Sequence, residues 1–147
     1  MNAATILKFK GSGVITTTAN KSLLDIAKLL AQHRIGCIVI IGDEDELCGI
    51  ISEHDLIRAI GQGSPKVLSK PVSEFMTTPV VTVRKTDTYD WLMSEMTTHR
   101  FRHLPVVERG RLIGIVSIGD LVKVHVADAE FESDAMRQYI TEANPAF

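Results

Sequence analysis

The sequence predicts an α/β (α+β) fold in which two β-α-β-β-α repeats pack through their sheets as a pseudo-two-fold pair. Three observations predict it. The chain of 147 residues repeats itself when it is shifted by 66 positions, and each copy alternates short apolar runs with helical stretches of period 3.6. One copy of roughly 50 residues also buries too little apolar surface to be secure alone, so the two copies are expected to share a core.

The repeat divides the chain into five segments. We predict an N-terminal segment over 1–12, a first repeat over 13–61, a linker over 62–78, a second repeat over 79–126 and a helical tail over 127–147. Glycines and prolines between residues 61 and 71 indicate the linker, and 72–76 is expected to form a short helical turn. The last helix is expected to run from Leu121 to about Thr141, before Pro145 ends it.

Each repeat begins with a short strand and a helix. The run Val-Ile-Thr at 14–16 matches Val-Val-Thr at 80–82. The helices that follow carry the same apolar stripe at i, i+3, i+4 and i+7, the pattern of a helix with one buried face. The stripe consists of Leu23, Ile26, Ala27 and Leu30 in the first copy and of Tyr89, Leu92, Met93 and Met96 in the second.

A hairpin and a second helix complete each repeat. The apolar run 37–41 matches 103–107, and after a polar turn the run 47–52 matches 112–117. The second turn is one residue shorter than the first, so the shift between the copies drops to 65 after it.

The third strand of each repeat ends in the motif Gly-h-h-Ser-x-x-Asp, where h is apolar. It covers Gly49 to Asp55 in the first copy and Gly114 to Asp120 in the second. A strand that ends at a helix-opening serine leaves backbone N–H groups facing outward, which suits a phosphate. The serine can donate to a phosphate oxygen, and the aspartate can accept from both ribose hydroxyls. Ser-x-x-Asp is equally the pattern of a plain helix cap, and the residues alone leave both interpretations open.

Composition argues against several classes of protein. Sixteen basic and eighteen acidic side chains give a net charge of −2 with no basic stripe, so no nucleic-acid partner is expected. No apolar run approaches the ~20 residues that span a bilayer and no secretory signal begins the chain, so we expect a cytoplasmic protein without a membrane partner. Cys37 and Cys48 form no CxxC pair and are expected to be buried free thiols; no residue set has metal-ligand spacing.

The combined pattern of V-h-T, helix, h-x-x-h-P-V-V, turn and G-h-h-S-x-x-D, present twice over about 13–126, resembles the CBS domain pair (the Bateman module, named after cystathionine β-synthase). The second copy is the better match. The first copy has Val39 where the proline of the pattern sits, and His54 where an arginine or serine is frequent.

This resemblance implies a stand-alone, bacterial-type signal transduction protein that binds an adenosine-containing ligand, such as AMP, ADP, ATP, S-adenosylmethionine or NAD(H), between the repeats. Asp55 and Asp120 would hold the ribose, Ser52 and Ser117 would contact phosphate or ribose oxygen, and Thr16 and Thr82 would flank the adenine. His54 would contact a phosphate or lie in solvent. The full set of expected nucleotide-binding residues is Thr16, Ile35, Gly36, Cys37, Ser52, His54, Asp55, Thr82, Arg102, His103, Ser117 and Asp120.

The two clefts are not expected to be equivalent. The second copy supplies Arg102 and His103 where the first has Gly36 and Cys37. Arg102 is a fixed cation that could reach a phosphate anchored by the first copy, which suggests one preferred nucleotide per chain. The alternative for Arg102 is a solvated cation at a strand edge.

Three functions are compatible with these observations. The first is a non-catalytic module that senses cellular energy or redox state by binding an adenine nucleotide, with a homodimer and a separate effector protein as its partners. The second is an interaction scaffold whose clefts are empty. The third is a nucleotide-processing enzyme, but the sequence has neither a GxxxxGK[ST] loop nor an acid cluster, so no catalytic residue is assigned.

Overall fold

The computed structural model describes residues 1–11 and 13–143 and confirms an α+β fold with two strand-and-helix repeats. Its elements are α1 (Ala3–Lys10), β1 (Thr16–Thr17), α2 (Leu23–His33), β2 (Cys37–Ile41), β3 (Leu47–Ser52), α3 (Glu53–Gln62), 3-10 turns at Pro65–Ser69 and Val72–Glu74, α4 (Tyr89–His99), β4 (His103–Glu108), β5 (Arg111–Ser117) and α5 (Ile118–Ala143). Among these residues no helix is long and apolar enough to cross a bilayer.

The strands form two small sheets. In the first repeat β1 pairs in parallel with β2, and β2 pairs antiparallel with β3, with Ile38 opposite Ile51. In the second repeat β4 pairs antiparallel with β5, with Leu104 opposite Val116. Each hairpin has a register shift near its turn, at equivalent positions, so the two copies share even this irregularity.

The predicted strand at 80–82 is absent, and Pro105 explains why. In the first repeat the amide of Val39 donates to the carbonyl of Ile15 at 3.3 Å, which holds the first strand against β2. The residue equivalent to Val39 is Pro105, which has no N–H to donate to Val81. Only a single parallel bridge remains, between Val83 and Val106, and the chain before it is free to take another path.

The expectation of one shared core was wrong, because the buried apolar side chains form two clusters. The first cluster joins α2, β2 and β3 with linker residues Val67 and Val72. The second cluster joins α4, β4 and β5 with Ala3, Ile6 and Leu7 of α1. Each repeat is therefore covered by a segment outside its own strand-and-helix unit: the linker covers the first repeat, and α1 covers the second.

Two glycines at equivalent positions allow these covering segments to approach closely. A Cβ atom on Gly49 would lie 2.5 Å from Met76 Sδ, and a Cβ atom on Gly114 would lie 2.6 Å from Leu7 Cδ2. No larger residue fits at either position without moving its neighbour. This gives the glycine of the Gly-h-h-Ser-x-x-Asp motif a packing role.

The last helix is longer than predicted. It begins at Ile118 and runs without a break to Ala143, so the second helix of the repeat and the tail are one element. The predicted stop signal, Pro145, lies outside the described residues. Every side chain from residue 125 to residue 140 is exposed.

Candidate functional site

A cleft of about 300 Å³ lies where the first repeat, the end of the linker and the second repeat meet. This volume is at the lower end of the range of small-molecule sites. Its lining consists of Gly36, Cys37, Ile50, Ser52, Glu53, His54, Asp55, Arg58, Thr77, Pro79, Val80, Val81, Arg100, Phe101, Arg102 and His103. It combines one apolar wall with three arginines and two carboxylates, which suits a ligand with an apolar ring and an anionic end.

Ser52 and Asp55 both cap α3 and line the cleft. Asp55 Oδ2 accepts from the Ser52 amide at 2.9 Å, and Ser52 Oγ accepts from the Asp55 amide at 3.2 Å. This capping box leaves the hydroxyl proton of Ser52 and the Oδ1 atom of Asp55 for other partners. Asp55 Oδ1 lies 3.8 Å from Arg58 Nη1, and the Arg58 side chain is 64% exposed. The cap and the ligand-binding interpretations of the motif are therefore compatible here.

The opposite side of the cleft comes from the turn between α4 and β4. Arg100 ends α4 in the left-handed conformation, with φ of 58°, as Arg34 ends α2 with φ of 52°. The chain then turns so that Arg102 and His103 face the first repeat. A Cβ atom on Gly36 would lie 3.3 Å from His103 Cε1, so the imidazole lies directly against the first repeat.

Burial controls the protonation of two lining residues. It raises the pKa of the Cys37 thiol to about 12, so this side chain is a neutral thiol. Burial also lowers the pKa of His103, and the nearby Lys10 ammonium lowers it further. Cys48 is only half-buried, so the expectation of burial holds for Cys37 alone.

The equivalent corner of the second repeat is occupied by a lysine. Ser117 and Asp120 form the same capping box, with bonds of 2.8 and 3.2 Å, but Lys10 Nζ lies 2.6 Å from Asp120 Oδ2. Lys10 Nζ also donates to the carbonyl oxygen of Ile115 at 2.8 Å. Burial alone would raise the pKa of Asp120, but hydrogen bonds from Lys10 and Ser117 hold it below its ordinary value.

The structure brings seven of the twelve expected binding residues to the cleft. These are Gly36, Cys37, Ser52, His54, Asp55, Arg102 and His103. It does not bring the other five there. Thr16 lines a separate hollow with Glu44 and Arg111, and Thr82 lines another with Lys85 and Trp91. Ile35 packs against the core of the first repeat, and Ser117 and Asp120 lie at the Lys10 corner.

Sequence reasoning missed nine lining residues: Ile50, Glu53, Arg58, Thr77, Pro79, Val80, Val81, Arg100 and Phe101. A signal for two of them was present. Pro105 removes the ladder hydrogen bond that would hold Val81 in a strand, and Arg100 occupies the helix-ending position of Arg34. The path of the linker, which brings Thr77 beside Ile50 through two backbone hydrogen bonds of 2.8 and 3.1 Å, had no such signal.

Comparison with known structures finds the same arrangement of elements. A CBS-domain-containing protein of Agrobacterium tumefaciens is 39% identical, with a TM-score of 0.83, and the match covers 85% of this chain and 99% of that one. The CBS domain pair of protein MJ0100, in complex with 5′-methylthioadenosine and S-adenosyl-L-methionine, is 27% identical over 87% of this chain and 98% of that one, with a TM-score of 0.77. A CBS domain protein of Pyrobaculum aerophilum complexed with AMP is 25% identical over 82% and 89%, with a TM-score of 0.73.

Two of the curated relatives are enzymes, but this chain covers less than a quarter of the length of each. The similarity to these enzymes is thus confined to a minor part of each. The family model for the CBS domain matches residues 11–62 and 72–127, which together are most of the chain. The chain therefore belongs to the CBS domain family.

Proposed function

We propose that this protein is a non-catalytic regulatory module that binds one adenosine-containing ligand per chain in the cleft beside Asp55. A single observation carries the proposal: a carboxylate and a serine hydroxyl at the start of α3 face arginines of the other repeat across a cleft of about 300 Å³. The complexes of two similar proteins with AMP and with S-adenosyl-L-methionine support an adenosine group as the common part of the ligand.

The lining residues suggest where the base, the ribose and the phosphate of such a ligand lie. The base lies against the apolar wall of Ile50, Val80, Val81 and Phe101. The ribose hydroxyls donate to Asp55 Oδ1, and the Ser52 hydroxyl donates to a ligand oxygen. The phosphate lies toward Arg102 and Arg100, whose planar donors suit phosphate oxygens.

Lys10 supports a stoichiometry of one. At the second corner its ammonium group already occupies the Asp120 carboxylate, the counterpart of Asp55. A ribose would have to replace an ion pair in which the Lys10 and Asp120 side chains are 28% and 14% exposed. At the first corner, the only cation that the described part of the chain pairs with Asp55 is Arg58, at the longer distance of 3.8 Å.

The cleft gives binding a route to regulation. Its walls come from both repeats and from the linker. A ligand that binds one arrangement of these three segments more tightly than another shifts the population toward the tighter-binding arrangement. The proposal includes a homodimer and a separate effector protein that responds to this change. It also places the chain in the cytoplasm, where Cys37 and Cys48 would stay reduced.

Calorimetric titration with adenosine, AMP, ATP, NAD and GMP tests the proposal. We expect at least one adenosine compound to bind with a stoichiometry of one, and GMP to bind more weakly. Asp55→Asn keeps one acceptor for the helix cap but removes the carboxylate, so ribose-dependent affinity should fall by roughly tenfold or more. No binding by the wild type in any titration would favour the scaffold, and turnover of any compound would favour the enzyme.

Asp25→Asn is the matched control. Asp25 forms the same capping box with Ser22 at the start of α2, with bonds of 3.3 and 3.1 Å, away from the cleft. A change in the cap alone therefore affects both variants, whereas a lost ligand contact affects Asp55→Asn only. Equal affinities of the two variants would remove Asp55 from the site.

A further inference from the structure

The end of α5 is an amphipathic helix without a covering element among the described residues. The side chains of α5 that pack on the core of the second repeat are Ile118, Leu121 and Val124, all in its first two turns. Beyond them, residues 125–140 are all exposed. Most of the stability of a protein helix comes from packing of its apolar face rather than from helix propensity, so a helix that continues this far is expected to have a partner.

Four of the six large exposed apolar side chains described on α5 lie on a heptad, namely Val122, Val126, Met136 and Ile140, whereas Phe131 and Tyr139 lie outside it. Residues 122, 126, 129, 133, 136 and 140 are spaced alternately by four and three, which is the period of a two-stranded coiled coil. They are Val122, Val126, Ala129, Ser133, Met136 and Ile140. The large members are well exposed, Val122 by 51%, Met136 by 61% and Ile140 by 56%. We call these six residues the tail seam.

We propose that the tail seam binds the tail seam of a second copy of this chain in a parallel coiled coil, an inference that rests on the homodimer of the proposed function and assigns one of its contacts. The charges that flank the seam favour this partner. In this heptad Val126 and Ser133 occupy a positions, and Ala129 and Met136 occupy d positions. The flanking e positions hold Lys123, Glu130 and Arg137. The flanking g positions hold His125, Glu132 and Tyr139. In a parallel pair each g residue faces the e residue five positions later on the other helix.

The parallel pairing places opposite charges together at one pair of positions. Glu132 faces Arg137 of the second copy, twice by symmetry, and Glu130 faces His125 rather than another acidic side chain. The antiparallel pairing that keeps the seam in register would instead set Lys123 against Arg137, Glu130 against Glu130 and Glu132 against Glu132. These like-charge contacts, of which the one between Lys123 and Arg137 occurs twice by symmetry, disfavour that arrangement, so the sequence selects the parallel one.

Sedimentation equilibrium of the full chain tests the seam. We expect a dimer whose dissociation constant rises at least about tenfold in Met136→Glu and in Ile140→Glu, because each places a charge in an apolar contact. Phe131→Glu is the matched control, since Phe131 is 76% exposed on the opposite face of the same helix. A monomeric wild type, or a dimer that neither seam variant weakens, would overturn the proposal.

Disulfide cross-linking tests the direction. In the parallel arrangement residue 140 of one copy lies beside residue 140 of the other, so Ile140→Cys should form a covalent dimer on mild oxidation while the wild type, with Cys37 and Cys48 only, should not. In the antiparallel arrangement residue 140 lies beside residue 122. A mixture of Val122→Cys and Ile140→Cys chains that cross-links to each other more readily than Ile140→Cys does to itself would overturn the parallel orientation.

Discussion

Lys10 and Asp120 lie far apart in the sequence, yet the ammonium nitrogen of one is 2.6 Å from a carboxylate oxygen of the other. Lys10 is the last residue of α1, and Asp120 lies in the first turn of α5. The contact joins the beginning of the chain to the second repeat, and it is the main chemical difference between the two equivalent Ser-x-x-Asp corners.

Replacing Lys10 should release the second corner. In Lys10→Met the Asp120 carboxylate loses its cation while the apolar stem of the side chain is retained, so the carboxylate can accept hydrogen bonds from ribose hydroxyls. We expect calorimetric titration with AMP to give a stoichiometry approaching two. Lys8→Met, near the end of the same helix, is the control and should keep one site. If Lys10→Met also binds one ligand, the lysine does not determine the number of sites.

Arg102 should discriminate between ligands with and without a phosphate. A hydrogen bond to a charged group contributes about 1.5–3 kcal/mol, so Arg102→Ala should bind AMP roughly 10- to 100-fold more weakly and adenosine almost unchanged. Arg84→Ala, which removes an exposed arginine from a different hollow, should affect neither ligand. Unchanged AMP affinity in Arg102→Ala would show that this side chain is only a solvated cation at a strand edge.

His103 should make the stability of the protein depend on pH. Burial lowers its pKa in the folded chain from the ordinary 6.5, so the unfolded chain takes up the proton first as the pH falls. The contribution of His103 to stability is fully present above about pH 6.5 and is lost as the pH falls through the folded pKa.

Urea unfolding at about pH 7.5 and about pH 5.5 measures this effect. We expect the free energy of unfolding to fall less between these two conditions in His103→Gln than in the wild type. His33→Gln removes an exposed histidine of α2, outside both the cleft and the tail seam, and should behave as the wild type does. The same pH dependence in all three proteins would contradict the assignment to His103.

Gly114 should tolerate no side chain. A Cβ atom there would lie 2.6 and 2.8 Å from the two methyl carbons of Leu7, in the core of the second repeat, so Gly114→Ala should lower the free energy of unfolding by about 1–3 kcal/mol. Gly61→Ala is the control of opposite sign: nothing lies within 4 Å of its Cβ position in α3, so it should raise stability by about 0.5–1 kcal/mol. Equal effects in urea unfolding would show that close packing at Gly114 is unimportant.

Local patterns predicted the repeats well because each depends on neighbours in sequence. The buried apolar faces of α2 and α4 follow from the helix period, and the Ser52 cap of α3 follows from cap chemistry. The structure has all three features. The strand at 80–82 failed because a proline in a different strand removed its hydrogen-bond partner. The ion pair between Lys10 and Asp120 could not be predicted, because nothing near either residue in the sequence indicates that α1 packs on the second repeat.

The linker covers the first repeat and α1 covers the second. The first ten residues are therefore needed by the repeat that is remote from them in sequence. Deleting them would remove α1 and expose the apolar surface of β5, although the deletion is remote from the second half in sequence. Cleavage after residue 78 would leave α1 on the N-terminal fragment. The two fragments would then have to reassociate before the second half could fold. The molecule should consequently melt in a single cooperative step, and neither half can be treated as an independent building block.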